Sequence, residues 1–351
     1  MSAEEMTAMA SVAKTSENSE LLPARGHVWQ HLRRCVAVTL IAGAALAMAV
    51  TPEAGAAVKQ EHFASPDAAM QALVAAAKTG ETKALLAVLG PEAKPIVDSG
   101  DSVADHNSRA TFVHNYEAAH SIQQSDDKAV VEVGTDQWPF PIPLVKDSSG
   151  WRFDTAVGKE EIIDRRIGRN ELATIQVCLA YVDAQREYYV RNPLGNPLYQ
   201  YAQVMVSTAG KHDGLFWETT EDEAPSPFGP LVGRARGEGY TKAGRGGQPT
   251  PYHGYYYRIL KAQGPDADGG AYDFVVRGKM LGGFALVAYP AEYRSSGVMT
   301  FMVNHGGVVF QKNLGPNSAV VARAMTAFNP DHTWTRIENA GQPQPTAAQP
   351  G

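Results

Sequence analysis

Residues 168–192 read GRNELATIQVCLAYVDAQREYYVRN, and the fold is decided by taking them as one long helix. Leu172, Ile175, Leu179, Val182 and Tyr189 recur at helical spacing, broken at Arg186, which places them on one apolar stripe. Asn170 stands where an N-cap belongs, since its side-chain oxygen can accept from the unpaired amides of a first turn. Asn192, Pro193 and Gly195 close the helix, because proline offers no amide and disfavours helix in the residue before it. A helix with one apolar face has to lay that face on another layer.

The chain downstream supplies such a layer. Short strands are expected at residues 254–260 (GYYYRIL), 271–276, 283–289, 299–303 and 308–311. Turns such as GPDADGG at 264–270 and NHGG at 304–307 separate them. Strands without intervening helices make an antiparallel meander. A last helix is expected over 318–328. Residues 194–249, rich in Gly, Pro and charge, form a long connection of the kind that is usually functional or mobile.

Upstream, Ser65 and Pro66 suit an N-cap and a first-turn proline, and Ala69, Leu73, Ala76 and Ala77 follow at helical spacing up to Gly80. A second helix fits 82–89, stopped by Gly90 and Pro91, and a third fits 108–121 around Phe112, Val113 and Tyr116. Strands are expected at 129–133, at 140–145 and from Trp151. Pro141 and Pro143 mark the middle one as an edge strand, because proline cannot donate to a central ladder. The fold class is therefore α+β: a small helix-plus-antiparallel-sheet domain over 58–161, then a domain over 162–336 whose long helix 168–192 packs on a β-meander. Residues 337–351, rich in Pro, Gln and Ala, read as a disordered tail.

Composition narrows the function classes. The chain has 351 residues, 44% hydrophobic and 19% charged, enough for two ordinary cores. A net charge of -6 argues against a nucleic-acid partner, which needs a basic face for phosphates. Residues 31–34 (HLRR) precede an uncharged run over 35–50 and the small residues AGAA at 54–57. That order is a secretory signal peptide with an extended n-region, spanning 1–57, and the run is short for a transmembrane span. A bacterial periplasmic or secreted protein with no stable span after cleavage is expected. Cys35 falls in the leader, so Cys178 is left without an internal disulfide partner and is expected to be a buried, inert thiol.

Candidate chemistry is sparse. His114, Glu117 and His120 share a helix, yet histidines six apart point to different sides, so no metal site is expected. Lys211, His212 and Asp213 lie in a Gly-flanked loop, where His212 and Asp213 are the candidates for an acid–base pair. Adjacent side chains in a loop rarely face each other, and Asp213 followed by Gly214 reads first as a turn dipeptide that docks the aromatic residues after it. No G-x-S-x-G elbow occurs, and GRGG at 244–247 lacks the Lys and Ser or Thr of a phosphate loop. Aromatic residues are the richer signal. Lys211, Trp217, Tyr252 and Tyr255 are the candidate binding residues, because exposed Tyr and Trp serve contact surfaces well. The expected protein is a non-enzymatic envelope binding or assembly factor without a cofactor, whose partner is an envelope protein or a glycan. The alternatives are an envelope hydrolase using His212 and Asp213, and a pilin-like structural component.

Several stretches resemble the bacterial domain-of-unknown-function 2950 family. They are FASP at 63–66, WPFPIPLV at 138–145, WRFDT at 151–155, RNE at 169–171, GKHDGLFW at 210–217, YHGYY at 252–256, AYPAEY at 288–293 and GVMTF at 297–301. The resemblance implies an exported bacterial protein and supplies no activity or catalytic residues. The C-terminal half also resembles pilins and pseudopilins, through Asn170, Glu171, the QREY of 185–188 and TFMV at 300–303. It departs from them in placing a whole domain ahead of the head. The N-terminal half resembles the cone-shaped domains of the nuclear-transport-factor-two superfamily in its pattern of elements. Such folds host many functions.

Overall fold

Ser65 begins the first helix as its sequence requires: its Oγ accepts from the Ala68 amide at 3.1 Å, and Pro66 takes the first turn. The computed structural model describes residues 59–240 and 250–338, so the leader and nearly all of the tail lie outside the described residues, as does the GRGG stretch. Helix α1 (Pro66–Thr79) is followed by α2 (Thr82–Leu89), a 3-10 turn, α3 (Lys94–Val97) and α4 (Ser102–Ala118). The third expected helix thus starts earlier and ends sooner than its apolar residues suggest. Asp101 sets its start, Oδ1 accepting from the Ala104 amide at 3.1 Å.

An antiparallel sheet follows, with strands β1 (His120–Gln124), β2 (Lys128–Val133), β3 (Trp138–Pro139), β4 (Leu144–Asp147) and β5 (Gly150–Phe153). Its order is β1-β2-β4-β5, with β3 also on β2. The expected edge strand is corrected here. Pro141 and Pro143 stay in a bend, and β4 runs on from it with a partner on each side, Leu144 opposite both Ala129 and Phe153. The ends of the order are β5 and the polar β1, whose first two residues, His120 and Ser121, fall in the segment expected as a helix over 108–121. Met70, Leu73, Leu85, Val131, Leu144 and Phe153 anchor the core between these helices and the sheet.

Helix α5 runs Thr155–Arg191, 37 residues, and starts well before Gly168. Asn170 is therefore an interior residue and not a cap. The C-terminal end is as expected, with Asn192 in the left-handed region at φ 45 and its amide donating to the Tyr188 carbonyl. The expected boundary at 161/162 falls inside this helix, which borders both cores. Its buried face is Thr174, Val177, Cys178, Tyr181, Val182, Gln185 and Tyr188, whereas Leu172 is exposed. Cys178 is fully buried, and burial pushes its thiol up to about 12.

After α5 come β6 (Val204–Val206), β7 (Gly214–Phe216) and α6 (Gly229–Gly237). The meander consists of β8 (Tyr255–Leu260), the small strands β9 (Ala262–Gln263), β10 (Tyr272–Asp273), β11 (Val275–Val276) and β12 (Lys279–Met280), then β13 (Ala285–Pro290), β14 (Thr300–Asn304) and β15 (Val309–Lys312). Helix α7 (Ser318–Ala324) and β16 (Thr335–Arg336) complete it. The main sheet is antiparallel in the order β16-β15-β14-β13-β8, with α5 laid on β13 to β15 and α7 packed against β13. Alternation along YYY of β8 is plain. Tyr255 and Tyr257 reach Glu171 and Thr174 of α5, while Tyr256 meets Tyr289. Seven helices and several antiparallel sheets among the described residues make this an α+β chain. None of its described helices is long and apolar enough to cross a membrane.

Candidate functional site

The loop before Trp217 is built on a close approach. Strand β7 runs parallel to β6, and a Cβ on Gly214 would fall 2.7 Å from the Ser207 nitrogen. Only glycine fits there, which accounts for the Asp213-Gly214 pair in the sequence. Asp213 accepts from the Thr208 amide at 2.7 Å and from the Thr208 hydroxyl at 2.8 Å. These bonds, the amide first, hold its carboxyl below the usual range. His212 turns elsewhere: its ring stacks on Trp217 at 4.5 Å between centroids, and its carbonyl accepts from the Tyr188 hydroxyl at 2.7 Å. The two candidate acid–base residues thus have separate partners.

Lys211, His212, Phe216 and Trp217 line a groove of about 410 Å³ together with Val206. An apolar pocket of about 260 Å³ adjoins it, sharing Val206 and Phe216 and reaching Leu231 and Tyr252. Tyr252 in turn lines a polar cleft of about 510 Å³ with Asp183, Arg234 and His253. Three candidate binding residues, Lys211, Trp217 and Tyr252, therefore border one continuous surface flanking α6. Val204 and Val206 of β6 are 44% and 58% exposed beside it, a large apolar exposure for so short a strand. Tyr255 is corrected out of this set. It is fully buried in the core, its hydroxyl donating to the Met299 carbonyl at 2.9 Å, because its place on β8 faces α5.

Tyr252 is held at a strained corner. His253 has φ 51 and Gly254 φ 73, and the Gly254 amide donates to Asp101 Oδ2 at 2.9 Å. The Tyr240 hydroxyl donates to the same oxygen at 2.8 Å, and His253 Nε2 lies 3.6 Å from Glu238. Burial, helped by Glu238, pushes the Tyr252 phenol up to about 12. Burial also lowers the His253 imidazole, against the opposite pull of Glu238 and Asp101. Nothing local in the sequence marks Asp101, Glu238 and Tyr240 as a cluster, since Asp101 lies more than 130 residues from the other two.

The helical histidines are dispersed. His114 is exposed, Glu117 pairs with Lys78, and His120 stacks on Tyr116. No group of three metal-ligating side chains occurs among the described residues.

A second cluster joins separate stretches of the sequence in space. Asn170 Nδ2 donates to the Ser296 carbonyl at 2.8 Å, and Glu171 Oε1 accepts from the amides of Val298 and Met299, each at 2.9 Å. The RNE, YHGYY and GVMTF stretches thereby meet at one junction beneath β8. A family model described as "Protein of unknown function (DUF2950)" matches residues 60–337, which takes in that junction and both cores. The chain belongs to that family. No curated protein and no solved structure matches this DUF2950 chain, and its likenesses to pilin heads and to the nuclear-transport-factor-two superfamily stay resemblances of pattern.

Proposed function

We propose that this DUF2950 protein is exported to the bacterial envelope and acts there by binding a protein partner, not by turning over a substrate. The signal-like order of residues 31–57 supports the location. The observation that carries the binding reading is the continuous surface from Lys211 and Trp217 across Val206 and Phe216 to Tyr252. It joins aromatic faces, which are enriched at protein contacts, to an exposed apolar patch at Val204 and Val206. A hydrolase would need His212 aimed at an orienting carboxylate, and Asp213 is committed to Thr208.

The test is affinity capture from envelope extracts with the mature protein beside a Val206→Asp variant. Val206 is 58% exposed, so the substitution leaves the core intact. A partner retained by the natural protein and lost from the variant supports this surface. Equal retention by both removes it.

A further inference from the structure

A separate cavity of about 290 Å³ opens in the N-terminal core between α4 and α5. Its wall is apolar, made by Leu73, Leu85, Leu89, Phe112, Phe140 and Ile162. Around it stand four guanidiniums: Arg109 from α4, and Arg165, Arg166 and Arg169 from α5.

Three of the four have work within the fold. Arg166 donates to the carbonyls of Pro95, at 2.7 Å, and Ile96, and faces the buried Asp105. Arg165 pairs with Glu161 and lies over the Trp138 ring at 4.7 Å. Arg109 reaches the Val97 carbonyl at 3.4 Å, while its buried Nε has no hydrogen-bond partner. Arg169 has neither a hydrogen bond nor an ion pair among the described residues. Three carboxylates, Asp98, Asp105 and Glu161, face four guanidiniums, which leaves one positive charge in excess at this mouth. Arg169 keeps contact with solvent, yet desolvation and the charge of Arg165 lower its pKa. A guanidinium partly withdrawn from water beside an apolar chamber gains from an anion brought to it.

We infer that this cavity takes an amphipathic anion, an alkyl or aryl carboxylate whose head meets Arg169 and whose body lies among Leu85, Phe112 and Phe140. A water's share of volume is about 30 Å³, so the chamber suits a body of on the order of ten non-hydrogen atoms. Apolar walls with a few convergent charges are the ordinary make-up of a small-molecule site. The site shares no residue with the partner surface, so either reading can fail alone.

Calorimetric titration of the full chain at pH 7 tests it with three probes. Octanoate carries both parts, 1-octanol the body without the charge, and inorganic phosphate the charge without the body. Octanoate is expected to bind saturably and about tenfold more tightly than either of the others, as one charge-assisted hydrogen-bond pair implies. Arg169→Gln should lose about tenfold in octanoate affinity and keep its affinity for 1-octanol, and Arg169→Lys should retain most of the octanoate affinity. Arg169 is solvent-exposed, so both variants should melt with the natural protein. Equal binding of octanoate and 1-octanol, or an Arg169→Gln variant that binds octanoate unchanged, would overturn the anion site. Phosphate binding as tight as octanoate would overturn the apolar half, and no binding of octanoate would overturn the whole.

Discussion

Asp101 Oδ2 accepts the Gly254 amide at 2.9 Å, joining residues 153 apart in sequence. Asp101 caps α4 of the N-terminal core, and Gly254 leads into β8 of the C-terminal sheet. One buried carboxylate therefore ends a helix and fixes the corner that presents Tyr252 and His253.

Asp101→Ala should be among the most damaging single changes in this chain. It removes a cap, about 1 kcal/mol, and leaves the Gly254 amide and the Tyr240 hydroxyl without their acceptor, for a total of roughly 3 kcal/mol. Asp101→Asn keeps acceptor oxygen and should lose less. Denaturant midpoints at constant slope would measure both.

Gly254 and Gly168 should respond in opposite directions to alanine. At Gly254, φ is 73 and a Cβ would fall 2.6 Å from Asn170 Nδ2, so Gly254→Ala should cost roughly 2 kcal/mol. At Gly168, inside α5, a Cβ meets nothing within 4 Å, and Gly168→Ala should stabilise by about 0.5–1 kcal/mol. Thermal melting of the two variants would separate them.

Acid should weaken the fold through His253 and His305. Burial depresses both imidazoles below the ordinary 6.5. The unfolded chain then binds protons more readily than the native one as pH drops past 6.5. Their stabilising share is complete above that pH and is lost below it. NMR titration should place the His253 midpoint under 6.5, and His253→Gln should flatten the fall in melting temperature between about pH 7.5 and 5.5.

Cys178 should be silent towards thiol reagents in the folded protein. It is fully buried, with its thiol pushed up to about 12, so little thiolate exists at neutral pH. Mass spectrometry should find the Cys178 peptide labelled only after unfolding.

What the sequence disclosed depended on how local the physics was. Ser65 with Pro66, and Asn192 with Pro193, are read correctly because caps act within a few residues. The start of α5 is not legible in the sequence because residues 155–167 carry many charges and only three buried positions, Thr155, Gly158 and Ile163. The expected apolar stripe passes through Leu172, whereas the buried face runs through Thr174 and Gln185, polar residues that count against burial in any hydrophobic pattern. Gln185 lies within because its amide donates to the Ala202 carbonyl and accepts the Ala202 amide, a long-range exchange invisible to spacing. Tyr255, expected at the surface, is core, since YYY fixes alternation without saying which face is inward. Lys211, Trp217 and Tyr252 were legible as aromatic and basic words, and their shared surface needed β6 and α6 to bring them together.

Hydrogen exchange on the protein, alone and with its captured envelope partner, tests the proposed contact surface most directly. Protection should concentrate in residues 204–217 and around Tyr252, and Val206→Asp should abolish it. Protection confined to other segments, or unchanged in the Val206→Asp variant, would contradict the account.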